Sequence, residues 1–258
     1  MARSPEPNAA APAAEPSAGE GLHVALVMDG NGRWAKRRGL PRSLGHRAGV
    51  EALKRTVAAA PELNIRHLTV FGFSTENWSR PATEVAELMA LPRRYFESDL
   101  GRLEREGVRV RVIGRRQGLN PDLIEIIEEA ERRTAGNDSF FLQVAFNYGG
   151  QADLTDGARR FAEDVAAGRI APADLNEARF AAYLSTSAAP PPDLIVRPSG
   201  EQRLSNFLLW EAAYSELVFQ DVLWPDYGPE HLKAAIAEYR TRDRRYGGAV
   251  ADDALAAG

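Results

Sequence analysis

The stretch Asp29-Gly30-Asn31-Gly32-Arg33-Trp34 places a carboxylate, two glycines and a guanidinium within six residues. Asp-Gly and Asn-Gly also suit a plain tight turn. At a strand-to-helix transition, however, such glycines let backbone amides approach an anion, and the helix dipole adds to the attraction. A carboxylate beside a phosphate repels it unless a cation stands between them. Mg²⁺ can do so, taking one or two carboxylates together with phosphate oxygens, and Arg33 can pair with the same phosphate in bidentate fashion. A second group, Phe73-Ser74-Thr75-Glu76-Asn77-Trp78-Ser79-Arg80-Pro81, reads either as a substrate loop or as a helix cap beside a surface stack. A third, Arg197-Pro198-Ser199-Gly200-Glu201-Gln202-Arg203-Leu204-Ser205, supplies two guanidiniums and hydroxyls around a glycine turn, the donors a diphosphate needs. In the fourth, Glu216 stands beside the apolar run Leu217–Phe219, a costly place for a carboxylate unless it meets a cation. Asp29 and Glu216 are therefore candidates to share one metal.

Other chemistries find little support. There are four histidines and no cysteine, so disulfides and thiolate metal sites are excluded and no His/Cys set has zinc spacing. GxxxxGK[ST], GxGxxG and GxSxG are all absent.

The four groups follow or adjoin short apolar, β-branched runs at His23–Met28, His67–Phe73, Val108–Ile113, Phe141–Phe146, Leu194–Val196 and Leu217–Phe219. Between the runs lie segments of helical period: Ala48–Ala60, Glu84–Arg105, Leu123–Arg133, Asp153–Ala167, Glu177–Leu184 and Pro229–Tyr239. Strands separated by long helices imply right-handed crossovers, so the expected fold is a single α/β domain with a central, mostly parallel six-stranded sheet flanked by helices. Ligands of such sheets bind beyond the carboxyl ends of the strands, where these residues stand.

Of the 258 residues 44% are hydrophobic and 26% charged, ordinary values for a chain with a packed core. No apolar run approaches the roughly 20 residues that span a bilayer. Residues 1–21 are Ala/Pro-rich and expected to be disordered, without the features of a secretory signal. Residues 247–258 read as a flexible tail, which leaves 22–246 as the folded domain. The net charge of −4 speaks against a general nucleic-acid binder. Yet Arg33, Lys36, Arg37, Arg38, Arg42, His46 and Arg47 cluster within fifteen residues, which suits a small polyanion.

Taken together, HVALVMDGNGRWAKRRGLPRSLGHRAG, LTVFGFSTENWSRPATEVAELM, AFNYGG, RPSGEQRLSNFLLWEAAYSELVFQDVLWPD and the terminal RRYGG resemble, in order, the signature blocks of cis-prenyltransferases. The blocks run from about residue 23 to 248. The resemblance implies a Mg²⁺-dependent enzyme that condenses isopentenyl diphosphate with an allylic diphosphate primer, releasing diphosphate and making a medium- or long-chain cis-polyprenyl diphosphate. It implies a homodimer whose subunits enclose an apolar tunnel, cytoplasmic, with transient peripheral contact to a membrane compatible with the lipid product.

Residue by residue, the resemblance assigns the allylic diphosphate to Gly30, Asn31, Gly32, Arg33, Arg42, His46 and Arg80. Isopentenyl diphosphate falls to Arg197, Arg203, Ser205 and Arg245, the metal to Asp29 and Glu216, and catalysis to Asp29 and Asn77. Phe73, Ser74 and Trp78 would orient the substrates, with Glu84 helping to close their loop. Arg245-Tyr246-Gly247 would reach across the dimer. Each isoprene unit buried in the tunnel is worth on the order of 3–4 kcal/mol. Strand alternation sends Gly72 to the face opposite Phe71 and Phe73, towards that tunnel, with Val85, Leu88 and Met89 on the facing wall. Gln151 and Pro198 depart from the family pattern. The alternative on the same fold is a synthase of irregular, branched or cyclised prenyl diphosphates. A non-catalytic prenyl-binding subunit is disfavoured by the intact Asp29–Arg33 loop, and a helical trans-prenyltransferase by the absence of DDxxD.

Overall fold

A computed structural model describes residues 21–242; the expected disordered segment, the tail and Arg245 lie outside the described residues. The apolar runs form strands β1 (Leu22–Val27), β2 (Ile65–Ser74), β3 (Val108–Ile113), β4 (Phe140–Tyr148), β5 (Leu194–Arg197) and β6 (Glu216–Phe219). They make one sheet in the order β3-β4-β2-β1-β5-β6, parallel throughout. The helices are α1 (Asn31–Arg37), α2 (Arg42–Ala59), α3 (Ala82–Arg105), α4 (Pro121–Arg133), α5 (Gly150–Ala166), α6 (Glu177–Ala181) and α7 (Pro229–Arg240). The two short helices, α1 and α6, depart most from the sequence reading: periodicity needs more turns than α1 offers.

The sheet is covered on both faces, as an all-parallel sheet requires. On one face Val24, Leu26, Leu68, Val70, Val110 and Leu142 pack against Leu53 and Val57 of α2, Leu88 and Phe96 of α3, Ile127 of α4 and Ile236 of α7. On the other, Ala25, Val27, Phe71, Ala145 and Ile195 meet Phe207 and Leu208 from the loop after β5. From β1 the chain crosses towards β2, whereas from β5 it moves the opposite way to β6. The order therefore reverses at the β1–β5 boundary, the place where such sheets bind ligands.

Strand alternation fails at Gly72. Phe71 pairs with Ala145 but Phe73 with Phe146, so Gly72 is an extra residue in β2; Asn147, with φ 51°, is the matching extra residue in β4. The bulge turns Phe71 and Phe73 to opposite faces of the sheet, Phe71 stacking on Phe207 and Phe73 packing on Trp78 and Phe146. The expectation that both phenylalanines share one face is therefore corrected.

Candidate functional site

Beyond the carboxyl ends of β1, β2 and β5 opens a cleft of about 790 Å³. Gly30 shapes its floor: φ is 103°, and an added Cβ would sit 2.9 Å from Leu223 Cδ2, so the turn out of β1 needs glycine. That turn exposes the Asp29 carboxylate. Oδ1 accepts from the Gly30 amide at 2.6 Å and Oδ2 from Arg197 Nη2 at 2.8 Å. Burial alone would push the Asp29 carboxyl up, but the Arg197 guanidinium and the Gly30 amide outweigh it and hold the carboxyl below its usual range.

Two groups of cations flank Asp29. On one side Arg42 Nη1 and Arg80 Nη1 hold the two oxygens of Glu84 at 2.5 and 2.8 Å, and His46 Nε2 stands 3.7 Å from the same carboxylate. Burial would raise the Glu84 carboxyl, yet both arginines keep it ionised and low. Burial also lowers the His46 imidazole, against the pull of Glu84. On the other side Arg197, 5% exposed, donates from Nη1 to Ser205 Oγ at 2.8 Å and to the Arg203 carbonyl. Arg33 leans to this second side, donating to the Ser199 carbonyl at 2.9 Å and pairing with Glu201 at 3.4 Å.

The cleft lining thus gathers Asp29, Gly30, Asn31, Gly32, Arg33, Arg42, His46, Phe73, Ser74, Asn77, Arg80, Glu84, Arg197 and Ser205 from four separate stretches of sequence. Asn77 Oδ1 accepts from the Ser74 amide at 3.1 Å and so fixes the turn Thr75–Ser79. Three expected residues stand elsewhere. Trp78 lies outside the cleft lining, its indole N–H donating to Asn147 Oδ1 at 2.8 Å. The Arg203 guanidinium also lies outside it, paired with Glu201 at 2.5 Å.

Glu216 is the clearest correction. It opens β6 opposite Leu194, which pairs in turn with Val24, at the amino end of the sheet. Asp29 lies five residues beyond Val24, about 16 Å further along the strand direction. One subunit therefore does not bring Asp29 and Glu216 to one metal; Glu216 pairs instead with Arg242 at 2.8 Å. Among the described residues no cluster of three metal-ligating side chains exists. What Asp29 offers is a single carboxylate, one-third exposed, facing a cation-lined cleft. That fits Mg²⁺ held between one carboxylate and phosphate oxygens, and does not fit an all-protein cage.

The sequence reading gave no role to Glu76, Glu201 or Asn206. Glu76 and Asn206 line the cleft, and Glu201 bridges Arg33 and Arg203. Their signal was faint: each is a polar residue inside a stretch whose arginines and glycines dominate. Behind the cleft, an apolar cavity of about 90 Å³ is bounded by Gly72, Leu88, Leu91, Pro92, Tyr95, Phe96 and Phe146 among others. Gly72 and Leu88 border both spaces. Val85 and Met89 do not line the cavity, so of the three expected wall residues only Leu88 does.

A family model described as "Putative undecaprenyl diphosphate synthase" matches residues 27–247. The chain belongs to this prenyltransferase family. An isoprenyl transferase of Caulobacter vibrioides is 70% identical over 243 residues, 94% of each chain. Among solved structures, lavandulyl diphosphate synthase from Lavandula x intermedia, in complex with dimethylallyl diphosphate, superposes with a TM-score of 0.86 at 36% identity, covering 88% of this chain and 98% of that one. A probable undecaprenyl diphosphate synthase from Campylobacter jejuni gives 0.73 at 32% identity, covering 89% and 99%. The prenyltransferase described here is accordingly an enzyme of isoprenoid diphosphate chemistry with the fold of its relatives. No helix among its described residues is long and apolar enough to cross a membrane.

Proposed function

We propose that this prenyltransferase elongates an allylic diphosphate with isopentenyl diphosphate, using Mg²⁺, to a medium- or long-chain cis-polyprenyl diphosphate. The observation that carries the reading is the Arg197–Asp29 pair at the reversal of strand order, with a separate group of cations on either side. Arg42, His46 and Arg80 bind the allylic diphosphate, and Arg197 with Ser205 binds the isopentenyl diphosphate. Arg203, paired with Glu201, stands at the rim of the second site and turns to the anion on binding. Asp29 would hold Mg²⁺, which would supply electrophilic neutralisation of the charge on the leaving diphosphate.

Arg33, Arg42 and Arg80 stabilise that charge as the allylic C1–O bond breaks. The isopentenyl C4 then forms a bond to C1, and loss of the C2 proton completes the new double bond. The carboxylates that line the cleft are Asp29, Glu76 and Glu84, all held below their usual range by hydrogen bonds that outweigh burial. The released diphosphate, the base that the reaction itself supplies in the cleft, takes up the proton. The apolar cavity behind Gly72 takes the growing chain.

The homodimer belongs to the same proposal. Arg245-Tyr246-Gly247 completes the isopentenyl site of a second copy. A chain ending at Arg242, mixed with Asp29→Ala subunits, should then regain one working site. Part of the proposal is a cytoplasmic enzyme that delivers its lipid product at the membrane surface.

The test is incubation with labelled isopentenyl diphosphate and allylic primers of graded length, with and without chelator. Metal-dependent ladders of added five-carbon units are expected; the absence of any condensation rejects the reading. The likeness to lavandulyl diphosphate synthase keeps one competitor, irregular coupling, for which a single branched product without a ladder would decide.

A further inference from the structure

Asn206 joins three segments that are far apart in sequence. Its backbone carbonyl accepts from the Gly150 amide at 2.7 Å, and its side-chain Oδ1 accepts from the Gln151 amide at 2.8 Å, at the amino end of α5. Its Nδ2 donates to Glu76 Oε1 at 2.7 Å, in the turn that follows β2. Ser205 and Asn206 both have positive φ, 53° and 63°, which directs the two side chains from adjacent left-handed residues. The segments approach closely: a Cβ on Gly149 would lie 2.5 Å from Thr75 Oγ1 and 2.7 Å from Asn206 Nδ2.

We propose that Asn206 is a positioning residue that clasps the turn after β2 to the turn after β5 through Glu76, and so sets the spacing between the two substrates. The neighbours of the two partners give the clasp its purpose. Glu76 adjoins Asn77, which fixes the loop beside the allylic site, and Asn206 adjoins Ser205, which holds Arg197 at 2.8 Å. Both ends of the amide are in use, one as acceptor and one as donor. An aspartate in that place could only accept. Glu76 is exposed, so the bond can break and reform as substrates enter. Its carboxyl, raised by partial burial, is nonetheless held low, first by the Asn206 amide. The bond count also accounts for Gln151: its backbone amide, not its side chain, contacts Asn206, so the departure from the family pattern leaves the clasp intact.

The simpler role for Asn206 is to cap the amino end of α5. The two roles predict opposite outcomes for one substitution. Asn206→Asp keeps the acceptor for the Gln151 amide and adds a negative charge at a helix amino terminus, which a capping role tolerates or welcomes. For the clasp the same change sets two carboxylates face to face.

The experiment compares wild type, Asn206→Asp, Glu76→Gln and the double variant. Because the assignment of substrates rests on the function proposed above, two readouts are taken: steady-state kinetics, and amide hydrogen exchange of residues 75–80, which needs no activity. Asn206→Asp should lower kcat roughly tenfold, the scale for a lost hydrogen bond to a charged group, with each KM within about threefold. Exchange of 75–80 should quicken while the melting temperature holds. Glu76→Gln still offers an amide oxygen to Asn206 and should lose only about two- to threefold. In the double variant the amide introduced at position 76 can donate to the carboxylate introduced at position 206, so both kcat and protection should return to the Glu76→Gln level. Failure of that rescue, or unchanged exchange in Asn206→Asp, overturns the clasp. If the exchange pattern appears but wild type condenses nothing, the clasp stands and the substrate assignment falls.

Discussion

Arg197 and Asp29 are separated by 168 residues of sequence and joined by a hydrogen bond of 2.8 Å. Arg197 closes β5 and Asp29 stands two residues beyond β1, and those strands are neighbours only because the sheet reverses its order there. The pair thus ties the anion-binding turn of one half of the sheet to that of the other. It also keeps Arg197, nearly buried, from being an uncompensated charge.

Asp29→Asn keeps the shape of this contact and removes its charge. Condensation should fall by more than about a hundredfold at saturating Mg²⁺, the scale found when a preorganised electrostatic group is lost. Circular dichroism should stay unchanged. Turnover close to wild type would show that Asp29 holds no metal.

Arg197→Lys should raise KM for isopentenyl diphosphate by roughly tenfold to a hundredfold, since a hydrogen bond to a charged group is worth about 1.5–3 kcal/mol and an ammonium does not reproduce the guanidinium fork. Arg203→Ala should also raise that KM above the allylic one, but by less, because its guanidinium begins 61% exposed on Glu201. Equal effects of Arg203→Ala on both substrates would show that the two sites are misassigned.

Acid should loosen the allylic side. Glu84 has a depressed carboxyl, so its contribution to stability is present above its unfolded pKa and is lost as pH falls through the lower folded value. His46 has a depressed imidazole, so the unfolded chain binds a proton near pH 6.5 that the folded chain refuses, and stability falls as pH drops below that point. Both act in the same direction. Melting temperature should decline steadily below about pH 6.5, and Glu84→Gln should flatten the part below about pH 5. A wild-type curve flat across both windows would contradict the geometry around Glu84.

The six strands were legible because parallel, doubly buried strands are continuous apolar runs, and the loaded residues at their ends were legible because such sheets bind ligands there. Glu216 was misread for an instructive reason. Its neighbours in sequence look like those of a site residue, but which end of the sheet it occupies depends on the register of β6 against β5, which pattern alone does not fix. Asn206 and Glu76 were missed because their meaning lies in a contact across 130 residues of sequence between side chains with no unusual spacing. The bulge at Gly72 was hidden because two extra residues, Gly72 in β2 and Asn147 in β4, compensate each other and leave both strands looking regular.

Product length is expected to hinge on Gly72, although by a route different from strand alternation. As the bulge residue it borders both the cleft and the apolar cavity. An added Cβ would lie 3.5 Å from the Ala145 carbonyl oxygen and from Phe146 Cδ2, and 3.7 Å from Val144 Cγ1, all ordinary contacts. Gly72→Ala should therefore fold, condense and give nearly the wild-type product distribution. Gly72→Leu adds three further carbons at a close-packed wall where even one methylene is felt, beside the cavity that Val144, Phe146 and Leu88 also line. The chain should meet that obstruction after few additions, so products should shorten while the first condensation keeps most of its rate. Replacing Leu88 by Ala in the Gly72→Leu background should restore room and lengthen the products again. Mass spectra of the three variants against wild type decide the matter, and an unchanged ladder in an active Gly72→Leu enzyme would show that the growing chain takes another path.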